Sequence, residues 1–426
     1  MELYKHQAEA LNRTNGLTRV AYYHDMGLGK TYTGSEKMMQ FNSKINLVIC
    51  QKSKIMDWVQ HFENNYAYHV CDLTKTKSLN EFFGKCLSEK YHVVGIINYD
   101  LAWRRSELKQ LKHFTLMLDE SSLIQNETSK RSKFILKLQP QNVILLSGTP
   151  TGGKYEKLWS QLHLLGWPIS KKLYWKQYVD TEIIDAEGYP VTIVKGYKNV
   201  DRLKRKMKQY GCDFLKTEEV IELPEQIDQT IEVKTTTAYR EFKKESIVSV
   251  KDSFSDDLKE LVGDTTLTKM LYERQLCGQY NDDKLTAFKD LIESTDDRLI
   301  IFYNFNDELK IMVDAIKDTG RDISLVNGSE KDLSAYTRDN DSVTFVQYQA
   351  GAMGINLQKA NKIIYFTPPL SSELFEQSKK RIHRIGQKNS CFYYYLICKN
   401  SIEEKIYQTL AMRKDYTEAL FEKGEL

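Results

Sequence analysis

The amino-acid sequence predicts an α/β protein with two lobes, each a parallel sheet flanked by helices. Short runs rich in β-branched residues are bounded by polar segments, a pattern typical of buried parallel strands. Helical patterns such as SKIMDWVQHFENN and NDELKIMVDAIKDTG lie between most of these runs, and such alternation indicates an α/β fold. The runs form two blocks in a chain of 426 residues, which is longer than one core usually supports, so we expect two domains.

Eight runs are predicted to be strands. The first block holds RVAYYH (19–24), INLVIC (45–50), HVVGIIN (92–98), FTLMLDE (114–120) and NVILLSG (142–148). The second block holds RLIIFYN (298–304), VTFVQY (343–348) and KIIYFT (362–367). The middle of the chain, roughly 154–290, has few such runs and many charged helical patterns, so we expect helical insertions there. The predicted lobes are 1–222, with an insertion at about 154–215, and 223–426, with an insertion at about 236–290.

The composition and net charge of the chain argue against several classes of protein. The net charge of +3 excludes a polybasic protein but allows a local basic groove for nucleic acid. The basic stretches ELKQLKHF and DRLKRKMKQY are candidates for such a groove, although a solvated helix face is the simpler interpretation. The seven cysteines form no C-x-x-C pair, and no apolar run reaches membrane-spanning length. We therefore expect a cytoplasmic protein without a disulfide framework, a structural metal or a membrane partner.

The stretch HDMGLGKT (24–31) resembles a phosphate-binding loop without its usual first glycine. Gly27 and Gly29 would form the turn, Lys30 would bind the β- and γ-phosphates of ATP, and Thr31 would bind Mg²⁺. A strand precedes the loop and a helix follows it, so phosphate would lie at a helix N-terminus. Taken alone, the stretch is equally compatible with a glycine-rich turn that happens to precede a lysine.

Two carboxylates and two hydroxyls follow other predicted strands. Asp119 and Glu120 come directly after the apolar residues of the strand FTLML, at its carboxyl end, which lies beside the phosphate loop if both strands share a sheet. One carboxylate could hold Mg²⁺ there while the other deprotonates the attacking water. An Asp-Glu turn that caps the next helix is the alternative for this pair. Ser147 and Thr149 end the strand ILLSGTP, where hydroxyls could pass a change at the phosphates to a second ligand.

Ten or so motifs follow one another along both lobes of the chain. The first-lobe motifs are HDMGLGKT, LVICQKSKIMDWVQHF, GIINYDL, LMLDESSLIQN and LLSGTPTGGKYEKLW. The second-lobe motifs are RLIIFYNF, VNGS, QYQAGAMGINLQKANKIIYFTPP and FEQSKKRIHRIGQKNSCFYYYLICKNSIEEKI. In this order they resemble the motifs of the Swi/Snf-type DNA translocases of helicase superfamily II. The resemblance covers nearly the whole chain and implies two RecA-like lobes.

The resemblance also implies the roles of individual residues. Gln7 would read the adenine, Lys30 and Thr31 would bind the phosphates and Mg²⁺, Asp119 would hold the metal, and Glu120 would act on the water. Residues expected to complete the ATP site from the second lobe are Arg384 and Arg381 as arginine fingers, and Gly354 and Asn356 in the cleft. Outside this motif order, the two arginines would simply indicate a basic, exposed helix.

Nucleic-acid contacts are implied at loop positions in both lobes. The residues expected to touch the sugar-phosphate backbone are Ser53, Lys54, Tyr99, Ser147, Gly148, Thr149 and Gln349. Hydroxyls, amides and single lysines follow DNA without reading its sequence.

Four positions depart from the family pattern. His24-Asp25 replaces an acidic pair, and Ser122 stands where a histidine often links the nucleotide to the next motif, so coupling to DNA is expected to differ. The segment Phe214-Leu215-Lys216 replaces an Arg-Arg pair, which puts in doubt a contact at the lobe junction. Ala352 replaces a glycine, a mild change.

The function implied is ATP-dependent translocation along double-stranded DNA, with ATP and Mg²⁺ as cofactors. A single-strand or RNA helicase of the same superfamily and a non-catalytic DNA-binding scaffold are the alternatives, and a P-loop kinase would leave the second lobe unexplained. The short flanks of the motor lead us to expect a bacterial or phage protein that acts with replication or recombination proteins, in the bacterial cytosol or an infected host cell.

Overall fold

A computed structural model describes residues 3–88, 90–186, 189–251, 254, 257–351 and 355–421. The chain divides into two compact units, one built from the residues up to Ile221 together with those from Asp415 onward, and the other from Glu222 to Lys414. Gly354 and Ala352, named above, lie outside the described residues.

The first unit contains a seven-stranded, fully parallel sheet in the order β3-β4-β2-β5-β6-β1-β9. The strands of this unit are β1 (Arg19–His24), β2 (Ile45–Cys50), β3 (His69–Asp72), β4 (Val93–Asn98), β5 (Phe114–Asp119), β6 (Asn142–Leu146), β7 (Val179–Ala186), β8 (Tyr189–Tyr197) and β9 (Cys212–Leu215). Its helices are α1 (Lys5–Arg13), α2 (Lys30–Phe41), α3 (Ile55–Asn65), α4 (Thr76–Cys86), α5 (Tyr99–Ala102), α6 (Lys130–Ile135), α7 (Trp159–Leu164), α8 (Lys171–Tyr178) and α9 (Val200–Gln209).

The second unit contains a seven-stranded sheet in the order β10-β18-β17-β13-β16-β14-β15, in which only β14 and β15 pair antiparallel. The strands of this unit are β10 (Gln226–Val233), β11 (Ile247–Lys251), β12 (Leu258–Val262), β13 (Leu299–Tyr303), β14 (Ile323–Val326), β15 (Lys331–Asp332), β16 (Val343–Gln347), β17 (Lys362–Tyr365) and β18 (Cys391–Cys398). Its helices are α10 (Thr237–Glu245), α11 (Thr266–Cys277), α12 (Asp282–Glu293), α13 (Asn306–Ile316), α14 (Ser334–Arg338), α15 (Tyr348–Gly351), α16 (Ser372–Lys379) and α17 (Ile402–Phe421).

Continuous apolar runs form the central strands because both faces of each sheet are covered. In β2, consecutive residues Leu47, Val48 and Ile49 are all fully buried, two facing one core cluster and one facing the other. Each such side chain contributes about 1.5–3 kcal/mol by leaving water. The predicted fold class, an α/β protein with parallel sheets flanked by helices in two lobes, is confirmed.

The insertions contain the expected helices, but they also contain two antiparallel hairpins, β7–β8 and β11–β12. The helical description was therefore incomplete. In LKELV, the residues Leu258, Leu261 and Val262 have helical spacing, although the segment is the strand β12. Its backbone pairs with the preceding strand β11, and the spacing of apolar side chains does not report such pairing.

The seven cysteines are free, six of them buried and Cys86 partly exposed. Burial raises the pKa of the Cys71 thiol to about 11 and that of the Cys86 and Cys391 thiols to about 12. Within the described residues, no helix has both the length and the apolar character needed to cross a membrane.

Candidate nucleotide and nucleic-acid site

The loop between β1 and α2 has the backbone geometry of a phosphate turn. Gly27 and Gly29 have φ angles of 90° and 71°, in the left-handed region that favours glycine. Gly29 directly precedes Lys30, the first residue of a 12-residue helix, so the positive end of the helix dipole and the backbone N–H groups at the helix N-terminus favour an anion there.

Gln7 lies against this turn, although it is 22 residues away in sequence. Its Nε2 donates to the carbonyl oxygen of Gly29 at 3.2 Å, and its Oε1 accepts from the backbone N–H of Tyr4 at 3.0 Å. A methyl group added at Gly29 would come within 2.4 Å of Gln7 Nε2, so only glycine allows this contact. The structure thus brings Gln7 to the phosphate turn, and its reading of adenine stays a prediction.

The Lys30 ammonium is held within the turn. Its Nζ donates to the carbonyl oxygens of His24 at 2.9 Å and Asp25 at 3.1 Å. A methyl group at Gly148 would lie 3.5 Å from this Nζ, so the loop after β6 lies next to the lysine ammonium. Thr31 follows in the first turn of α2 and is partly exposed.

Asp119 ends β5 and receives a hydrogen bond from the Trp58 indole on α3, with Nε1 2.8 Å from Oδ2. Burial raises the pKa of Asp119, while the indole bond and the charges of Lys30 and Lys54 oppose that rise. Asp119 is partly exposed, and a carboxylate with such limited access to water is stabilised in its charged form by a cation. Together with the Thr31 hydroxyl it offers the hard oxygen ligands that Mg²⁺ prefers, so the residues fit that ion.

Glu120 has a φ of 52°, a left-handed conformation that a non-glycine residue rarely adopts. The Tyr99 hydroxyl donates to the carbonyl oxygen of Asp119 at 2.8 Å, and the Ser147 hydroxyl donates to Glu120 Oε2 at 3.4 Å. Tyr99 is 3% exposed and Ser147 is fully buried. Both hydroxyls therefore face the carboxylate turn, which argues against the predicted nucleic-acid contact by these two side chains.

The order of strands explains how these groups meet. Strand β6 lies between β5 and β1, and all three are parallel, so their carboxyl ends share one edge of the sheet. The loop from Ser147 to Thr149 consequently lies between Glu120 and Lys30. The sequence analysis placed the carboxylates beside the phosphate turn, and the structure adds this loop between them.

The other predicted nucleic-acid residues have mixed environments. Ser53 is exposed on the short 3₁₀ turn Lys52–Lys54, whereas the Lys54 ammonium pairs with Asp57 at 2.7 Å. Thr149 is 8% exposed, and its hydroxyl has no hydrogen-bond partner among the residues that the structure describes. Gln349 is exposed on α15, directly after β16 of the second unit.

In the second unit, the motif RIHRIGQ follows α16. Arg381 is 1% exposed, and its Nη1 donates to the carbonyl oxygen of Ile355 at 3.4 Å. Arg384 is partly exposed, and burial lowers the pKa of its guanidinium. Asn356 is exposed and accepts a hydrogen bond from the Gln358 N–H at 3.2 Å. The enclosed position of Arg381 suits a structural role better than that of an arginine finger, and Arg384 remains the candidate.

Comparison with protein families matches residues 15–282 to the SNF2-related domain and residues 283–386 to the helicase conserved C-terminal domain. The chain belongs to the SNF2-related family. The resemblance stated from the motifs is thereby confirmed.

The SNF2-related relatives are distant in sequence. An uncharacterized ATP-dependent helicase of Mycoplasma genitalium is 23% identical over 92% of this chain and 39% of its own length. The DNA repair and recombination protein RAD26 of Saccharomyces cerevisiae is 25% identical over 91% of this chain and 38% of its own length. The chain thus spans about two fifths of these curated relatives.

Among solved structures, the chain is similar to the Sulfolobus solfataricus SWI2/SNF2 ATPase core in complex with dsDNA. The identity is 20%, the TM-score is 0.44, and the match covers 98% of this chain and 92% of the other.

Two departures from the SNF2-related pattern lie in contact with each other. His24 Nε2 is 2.8 Å from Asp213 Oδ2, and Arg13 donates to the same carboxylate at 2.6 and 2.9 Å. Asp25 accepts from the backbone N–H of Thr217 at 3.1 Å. The segment around Phe214-Leu215-Lys216 is therefore anchored to the phosphate turn by partners other than the usual arginines.

Sequence reasoning missed two residues of this site, Trp58 and Gln161. Trp58 was read as part of an amphipathic helix, and its partner Asp119 is 61 residues away. Gln161 lies in the apolar stretch KLWSQLHLL, and a polar residue at a buried helical position was the one signal that could have identified it.

Proposed function

We propose that the chain is an ATP-hydrolysing translocase on double-stranded DNA. The observation that carries the proposal is the common sheet edge where Lys30, Glu120 and the loop 147–149 meet beside Gln7. Membership of the SNF2-related family and relatives named ATP-dependent helicases support the same activity.

In this proposal, the turn from Gly27 to Lys30 binds the phosphates, and Thr31 and Asp119 hold Mg²⁺. The ion supplies charge neutralisation at the phosphates when it is bound. Glu120 accepts a proton from a water molecule whose oxygen attacks the γ-phosphorus, while the bond to the ADP oxygen breaks. Arg384 would stabilise the charge that develops on the γ-phosphate, a role that rests on the motif resemblance.

The nucleic acid is proposed to be duplex DNA because the motif order is that of duplex translocases. Ser53, Thr149 and Gln349 each lie two or three residues after the carboxyl end of a strand, where contacts to a sugar-phosphate backbone would be independent of sequence. A role in replication, recombination or repair in a bacterial or phage-infected cytoplasm is part of the proposal. The yeast relative is named for repair and recombination.

The test is steady-state ATP hydrolysis without nucleic acid and with duplex DNA, single-stranded DNA or RNA. Duplex DNA is expected to stimulate turnover most strongly, and Glu120→Gln is expected to lower it by about 10²–10⁴-fold because the base is lost. The matched control is Glu107→Gln, an exposed glutamate on the same unit that should leave turnover unchanged.

Each of the other possible results of this assay favours one of the alternative functions. Stimulation by single strands or RNA alone would favour a helicase of the same superfamily. Turnover equal to that of Glu120→Gln under every condition would favour a scaffold that binds ATP without hydrolysing it.

A further inference from the structure

Gln161 on α7 makes three hydrogen bonds to three separate segments of the first unit. Its Oε1 accepts from the Ser121 hydroxyl at 2.8 Å and from the Tyr23 hydroxyl at 3.0 Å. Its Nε2 donates to the carbonyl oxygen of Pro150 at 2.8 Å. The side chain is fully buried, and its oxygen and nitrogen are both used.

The three segments are those that form the candidate site. Tyr23 directly precedes His24 and the phosphate turn, Ser121 directly follows Glu120, and Pro150 ends the loop that begins at Ser147. One amide group therefore joins the phosphate turn, the carboxylate turn and the loop between them.

Helix α7 is itself fixed to the carboxylate turn by a second bond. The Ser160 hydroxyl donates to the carbonyl oxygen of Ile124 at 2.7 Å, at the end of the 3₁₀ turn Ser121–Ile124. Two consecutive residues of α7 thus hold both ends of the turn that follows Glu120.

Packing alone does not explain a glutamine at this position. Its neighbours Leu158, Leu162 and Leu164 belong to the apolar core, where leucine would fill the space without a desolvation cost. A buried amide is tolerated only when its hydrogen bonds are made, because each unmet group costs about 1–3 kcal/mol. We therefore attribute the glutamine to its hydrogen bonds, which fix the positions of its three partners.

We propose that Gln161 is a positioning residue that couples the loop 147–150 to Glu120, so that nucleic acid bound near this loop adjusts the catalytic carboxylate. The inference rests on the proposed function. Ser122 occupies the place of the histidine that often makes such a link, and its neighbour Ser121 donates to Gln161 on α7. The coupling then runs from Pro150 through the amide to Ser121 and on to its neighbour Glu120.

The test compares Gln161→Leu, which removes all three bonds at similar volume, with Ser121→Ala, which removes only the bond to the carboxylate turn. The readout is the ratio of kcat with saturating duplex DNA to kcat without it, together with KM for ATP and the melting temperature. We expect the ratio to fall at least about threefold in both variants, with KM for ATP changed less than the ratio.

The matched control is Tyr174→Phe, which also removes one buried hydrogen bond from the same unit, to the carbonyl oxygen of Tyr155 at 2.7 Å. Its ratio should equal that of the wild type. The double variant Gln161→Leu with Ser121→Ala replaces both partners of one bond, so its melting temperature should rise relative to Gln161→Leu while its ratio stays low.

A ratio that recovers together with the melting temperature in the double variant would overturn the coupling role, as would wild-type ratios in both single variants. If duplex DNA fails to stimulate the wild type itself, the proposed function fails and the inference fails with it. These outcomes are distinguishable because the wild type is measured in the same experiment.

Discussion

At the residue scale, Asp119 depends on a donor from a different element. The Trp58 indole binds one carboxylate oxygen and thereby favours the ionised form, against a burial that disfavours it. The protonation state of the proposed metal ligand thus depends on burial and on the groups that oppose it, and a single substitution removes the largest opposing contribution, the indole hydrogen bond.

Trp58→Phe is predicted to shift the acid limb of the pH profile of kcat/KM to higher pH. Phenylalanine keeps the aromatic packing but lacks the N–H, so the pKa of Asp119 rises further above its ordinary value, and the ionised ligand forms only at higher pH. The matched control is Trp159→Phe, whose indole donates to the Ile169 carbonyl oxygen instead. An unchanged acid limb in Trp58→Phe would contradict the prediction.

The sequence indicated Gln7, Lys30 and Asp119 because their motifs have a fixed chemistry and spacing. It did not indicate which way the hydroxyls of Tyr99 and Ser147 point, since a hydroxyl at the end of a strand suits a solvent contact and an internal bond equally well. Inward orientation depends on the neighbouring strand, and neighbouring strands in this sheet come from distant parts of the sequence.

At the scale of elements, Asp213 connects β9 to β1 and α1. Burial alone would raise the pKa of Asp213, but hydrogen bonds from His24 and Arg13 hold it below its ordinary value. A carboxyl whose pKa is lower when folded stabilises the protein above its unfolded pKa, and this contribution is lost as the pH falls through the folded pKa.

Asp213→Asn is predicted to lower the free energy of unfolding at pH 7 by about 3 kcal/mol, because a buried charge network loses one partner. Below about pH 4, near the ordinary pKa of an aspartate, the stability of the variant should also decline less steeply than that of the wild type. Denaturant unfolding at several pH values measures both effects. The control Asp314→Asn breaks an exposed pair with Lys317 and should change stability by less than about 1 kcal/mol.

A buried ion pair joins α12 to α17 in the second unit. Lys284 Nζ is 2.6 and 2.8 Å from the two oxygens of Glu403, and neither side chain is more than 1% exposed. Lys284→Met is predicted to destabilise this unit by about 3–5 kcal/mol because Glu403 keeps a buried charge. The double variant Lys284→Met with Glu403→Leu should lose much less stability. Equal losses of stability in the single and the double variant, measured by denaturation, would contradict this interpretation.

Most inner strands could be predicted from sequence because their residues are largely apolar and buried on both faces, but the inner strands β14 and β18, in which buried and half-buried residues alternate, were not predicted. Strand β10, QIDQTIEV, could not, because it lies at the edge of its sheet and most of its side chains are exposed. The same holds for the hairpin β7–β8, in which Ile183 and Tyr189 are 71% and 75% exposed. Such strands are held by backbone pairing, to which side-chain patterns are a weak guide.

At the scale of the whole molecule, Lys30 belongs to the first unit and Arg384 to the second. If both residues act on ATP, removal of Arg384 should affect nucleotide binding and turnover to different extents. Arg384→Ala is predicted to lower DNA-stimulated kcat by about 10³-fold while nucleotide binding is largely kept, since an arginine finger acts mainly in the transition state. A parallel loss of nucleotide affinity in a fluorescence titration would contradict this role, and Lys388→Ala, an exposed neighbour, is the control.

The buried cysteines make the chain suitable for dye attachment. A thiol reacts with a maleimide as its thiolate, and even the partly exposed Cys86 has a pKa of about 12, so little thiolate forms at neutral pH. A cysteine introduced at an exposed position of each unit would therefore carry nearly all of the label without removal of the native thiols. Energy transfer between two such dyes would test, molecule by molecule, whether the proposed hydrolysis of ATP changes the distance between the units.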